Sequence, residues 1–109
     1  MLIEGCRFLN TYDGPALSIK QGDGVQVLNN LFDGGSIGLK LGVWAPYEPG
    51  FSITNLQASG NVLRNFQTGI WALASNGGRF INVRLFRNSV TRCKRPVDLS
   101  GARSISYSP

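Results

Sequence analysis

With no histidine in the chain, acid–base chemistry would fall to Asp, Glu, Lys, Arg or Tyr. Glycoside hydrolysis needs two carboxylates facing one bond, and elimination from a uronate needs a base together with a cation that neutralises the sugar carboxylate. Asp13, Asp23 and Asp33 sit beside glycine in YDG, GDG and FDG, where turn formation accounts for them. That leaves Asp98 and Glu48 as the candidate acids, with Asp98 as the acid or base of any reaction. A sugar also needs a flat apolar surface and, if it is a uronate, a cation: Trp71 could stack on a pyranose face while Lys20 and Lys40 pair with carboxylates. The excursion GVWAPYEPGF, residues 42 to 51, adds Trp44, Tyr47 and Glu48 as a loop wall. The bland alternatives are that Trp71 packs beneath a loop and that the excursion caps apolar surface. Cys6 and Cys93 form neither a disulfide framework nor a CxxC metal pair, so no metal or cofactor is expected.

Charge is divided unevenly. Residues 1 to 50 hold three basic and five acidic groups, and residues 51 to 109 hold eight and one. The basic half could attract an acidic glycan or nucleic acid by steering, but basic residues alternate with apolar ones as strand faces do, and no named nucleic-acid motif is present. Nucleic acid is therefore not the expected partner. The start MLIEGCRF lacks the basic and long apolar regions of a signal peptide, and no run of eighteen apolar residues exists to span a membrane.

These residues must be positioned by something, and the composition points to strands: fourteen glycines, plentiful Asn and Ser, and many β-branched residues. Four segments align on one position: MLIEGCRF (1 to 8), VQVLNNLF (25 to 32), LQASGNVL (56 to 63) and VRLFRNSV (83 to 90). Each places apolar residues at alternate positions, then Cys6, Asn30, Asn61 or Asn88, then Phe8, Phe32, Leu63 or Val90. A second strand follows in ALSIK, SIGLKL, GIWALA and PVDLS, beginning its inward set 11, 7, 9 and 9 residues after the shared position. Units spaced by 24, 31 and 27 residues bury their apolar faces only by stacking, and stacked asparagines can pair amide to carbonyl as a ladder. The outward files of the second strand would then be Ser18, Gly38, Trp71 and Asp98 in one and Lys20, Lys40, Leu73 and Ser100 in the next. An antiparallel sandwich or small barrel is the competing architecture.

VLNNLF, ASGNVLRNFQTGI and VRLFRNSV resemble the right-handed parallel β-helix proteins, which include pectate-lyase-like enzymes, alginate epimerase-like repeats and phage tailspikes. The resemblance covers nearly the whole chain and implies an all-β, right-handed parallel β-helix of about four coils, residues 1 to 109 forming one repeat segment of a longer chain. It implies a polysaccharide partner, acidic if the lysines are used, in a parent protein that is extracellular or virion-associated. The parent would bind or degrade polysaccharide, or else serve as a non-catalytic shaft of a tailspike or adhesin. Uncapped end coils would promote homo-oligomers. The calcium-binding members cluster aspartates on neighbouring coils; the expected file around Asp98 holds no such cluster, which weighs against their mechanism.

Overall fold

The computed structural model describes residues 1–42, 52–73, 79–102 and 104–109, and every strand pairing among them is parallel. One sheet stacks β1 (Leu2–Glu4), β4 (Gln26–Leu28), β6 (Ser52–Ser59), β8 (Arg79–Phe86) and β11 (Ser106–Ser108), with β3 (Gly22–Asp23) beside β6. The other stacks β2 (Arg7–Ile19), β5 (Leu31–Leu41), β7 (Val62–Leu73) and β10 (Arg95–Gly101), with β9 (Ser89–Thr91) beside β7. The protein is an all-β parallel β-solenoid. Four levels in the second sheet are separated by three coil-to-coil steps, so the chain makes about three turns where four coils were expected.

The alternation read from sequence is the inward set. Val25, Val27, Leu56, Ala58, Val83 and Leu85 from the first sheet meet Leu39, Leu41, Ile70 and Ala72 from the second in one buried core. Phe8, Phe32, Leu63 and Val90 stack as expected; the Phe8 and Phe32 rings lie 4.7 Å apart and nearly parallel. One expectation needs correction. VQVLNNLF is not a single strand: the ladder residue sits at a bend, so Val25 and Val27 serve one sheet and Phe32 the other.

Bends recur because the backbone turns left-handed at matching positions. One corner holds Gly5, Asn29, Gly60 and Arg87; a second holds Asn10, Gly34, Asn65 and Arg92; a third holds Gly24, Asn55 and Asn82, all with φ between 53° and 89°. Asparagine tolerates this region better than other residues with side chains. A different constraint fixes Gly38 and Gly69, where a Cβ would lie 2.6 Å from the carbonyl of Gly69 and of Pro96 respectively. The next coil leaves no room there.

The ladder runs through the bend. Asn30 Nδ2 donates to Asn61 Oδ1 at 3.0 Å, and Asn61 Nδ2 donates to Asn88 Oδ1 at 2.9 Å. Each Oδ1 also accepts a backbone N–H from the preceding coil: Cys6 to Asn30 at 2.8 Å, Asn30 to Asn61 at 2.9 Å and Asn61 to Asn88 at 3.0 Å. The remaining amide protons go to the carbonyls of Ile3, Val27 and Ala58. Asn61 thus uses both donors and both lone pairs while buried, a condition under which an unmet amide would be costly. Cys6 occupies the first rung with its backbone alone, and both it and Cys93 are free thiols.

Candidate ligand-binding surface

Side chains pointing away from the core on the second sheet form a file along the solenoid axis, and its register is Ser18, Lys40, Trp71 and Asp98. Lys40 therefore replaces Gly38, which faces the crowded interior contact described above. The slip lies in the second coil, where the inward set facing Ile70 starts at Leu39 and not at Ile37. β5 pairs β7 without a shift from Leu31 opposite Val62 to Leu41 opposite Ala72, so Lys40 meets Trp71, while the first coil absorbs its extra residues between Thr11 and Pro15 before Leu17 meets Leu39. An alternating pattern is unchanged by a two-residue shift, so apolar spacing alone could not fix it.

The corrected register concentrates the candidates. Lys40 and Trp71 are coil-to-coil neighbours, with the Lys40 ammonium 5.5 Å from the centre of the indole, close enough for a cation–π contact. Trp71 remains half-exposed, and Asp98 follows it one coil further on. Arg95 Nη1 lies 3.9 Å from Asp98 Oδ2. Lys20 does not stand beside Lys40. It lies past Ile19, which pairs with Leu41, and lines an open concavity of the first coil with Met1, Ile3, Leu17, Asp23 and Val25. Leu73 pairs with Gly101 across a register shift, so the second expected file, Lys20, Lys40, Leu73 and Ser100, is not formed. Trp44, Tyr47 and Glu48 lie outside the described residues.

Two further aspartates are engaged in outer ladders that turn propensity did not reveal. Asp23 Oδ1 accepts from Thr54 Oγ1 at 2.7 Å and Asn55 Nδ2 at 2.9 Å, and Asn55 in turn accepts from Asn82 at 2.8 Å. Asp33 accepts from Asn65 at 2.8 Å and from Arg64 Nε at 3.0 Å. These donors hold both carboxyls below the ordinary carboxylate value, Thr54 being the larger influence on Asp23 and Asn65 on Asp33. A signal was available: Asn55 and Asn82 each precede a ladder asparagine by six residues, and Asn10 and Asn65 each follow a ladder position by four.

Chemically, the file offers a cation, a ring and one carboxylate in sequence along the axis. Among the described residues no group of three or more His, Cys, Asp or Glu side chains comes together as a metal would need, and no helix is long and apolar enough to cross a membrane. No protein-family model, no curated protein and no solved structure matches the chain. The class defined by strand pairing is the parallel β-solenoid.

Proposed function

We propose that the chain is a segment of a right-handed, pectate-lyase-like β-helix protein that binds an acidic polysaccharide along the Ser18, Lys40, Trp71 and Asp98 file. The supporting observation is the contact of Lys40 with Trp71 on adjacent coils. A uronate ring stacked on the indole would bring its carboxylate beside the ammonium, so one sugar would meet apolar and ionic complements together. Three coil steps span roughly 14 Å, enough for a few sugar rings in line. Right-handed winding follows the strong preference of parallel strand–crossover–strand units. Asp98 is the candidate acid or base, and the extracellular or virion-associated setting goes with the polymer.

The test is calorimetric titration with oligogalacturonate. Trp71→Ala and Lys40→Ala should each weaken binding about tenfold, the loss expected for one stacking or ionic contact. Unchanged affinity in both moves the ligand elsewhere. A structural shaft is the second reading, favoured by Met1, Leu2, Leu9 and Tyr12 standing exposed on the first coil, a surface suited to contact between copies.

A further inference from the structure

The left-handed corners change character in the last coil. Where the earlier coils carry glycine or asparagine at two of these corners, the last carries Arg87 and Arg92. Among the described residues these are the only ones other than glycine and asparagine that adopt positive φ. The conformation disfavours a long side chain, and strained backbone of this kind points towards a use for the side chain it presents.

Both arginines are exposed and flank β9, whose Ser89 and Thr91 are exposed between them. Lys94 and Arg95 continue the arc, also exposed, so residues 87 to 95 present four cations and no acid. The side chains of Arg87 and Lys94 make no hydrogen bond or ion pair among the described residues, while Arg95 reaches Asp98 only at 3.9 Å. This arc runs along the path of one coil, across the solenoid axis, whereas the Lys40 and Trp71 file runs parallel to that axis.

We propose that the Arg87 to Arg95 arc binds a polyanionic glycan lying across the last coil. Guanidinium forks pair in bidentate fashion with carboxylate or sulfate, and the hydroxyls of Ser89 and Thr91 suit a sugar's remaining oxygens. Single-stranded nucleic acid would need aromatic faces to stack its bases, and residues 87 to 95 contain none. The proposal stands independently of the Lys40 and Trp71 file.

The full chain is titrated with dextran sulfate, polygalacturonate, neutral dextran and poly(dT). Arg87→Asn with Arg92→Asn installs a residue type that neighbouring coils already use at these corners, so thermal melting should be unchanged or raised while polyanionic glycan binding weakens about tenfold. Affinity of the parent chain should also fall steeply with salt. Equal glycan affinity in the double variant, or binding indifferent to salt, overturns the site; poly(dT) binding as tightly as the glycans overturns the ligand. Loss in Trp71→Ala with retention in the arginine variant likewise assigns the glycan to the other surface.

Discussion

Two sets of ladders run along this solenoid, and they use the same amide in opposite surroundings. Asn30 and Asn61 are buried at the bend between the sheets, where every donor and lone pair of Asn61 is taken by protein. Asn55 and Asn82 stand exposed at the third corner and continue a chain of bonds headed by Asp23. Bond lengths are alike, so geometry does not rank them. The replacement for a lost bond does: water can take over outside, and nothing can inside. Rigidity of the coil stack therefore comes from the interior, which leaves the outer positions open to carry ligands.

The largest effect should come from Asn61→Ala, which strands the backbone N–H and the Nδ2 of Asn30 together with the carbonyl of Val27, and removes one of the two donors to Asn88 Oδ1. A loss of about 2 to 3 kcal/mol in urea unfolding is expected, and parent-like stability would place the buried ladder on a par with the exposed one. Gly69→Ala tests coil spacing by pushing a methyl against the Pro96 carbonyl and the Val90 side chain, at a cost of about 2 kcal/mol. Asn55→Gly keeps the left-handed corner while deleting the exposed amide, so its stability should stay within about 0.5 kcal/mol of the parent.

The smallest effect varies with pH. Asp23 and Asp33 have folded-state affinities for protons below those of ordinary carboxylates, so they contribute stability that is present above their common value of 3.8 and lost as pH falls towards the depressed folded one. Asp23→Asn with Asp33→Asn should lower stability slightly at neutral pH and flatten the decline below pH 3.8 by the same small amount, so that parent and variant converge in acid. A decline of undiminished slope would show that other groups govern acid unfolding.

Much of the interior was legible because burial writes itself into residue type. Alternating Val, Leu and Ala, the aligned Asn30, Asn61 and Asn88, and the Phe8 and Phe32 stack follow from one requirement, that each coil sit on the next. Outer register was not legible in the same way. ALSIK and SIGLKL fit each other in two alignments that differ by two residues, and the pairing of the strands decides between them: the unbroken β5–β7 register places Lys40 beside Trp71, and the backbone shift after Thr11 brings Ser18 level with Lys40. Asp23 and Asp33 were absorbed by turn chemistry, since an aspartate beside glycine explains itself locally and conceals a partner 31 or 32 residues away.

Hydrogen exchange of the asparagine side-chain amides, resolved by nitrogen-15 NMR, compares the two environments most directly. If the coils are held from inside, the Nδ2 protons of Asn30 and Asn61 exchange only on global opening, orders of magnitude more slowly than those of Asn55 and Asn82. Exchange of Asn61 at the rate of Asn82 would contradict a buried ladder and, with it, the division between a structural interior and the exterior proposed to bind glycan.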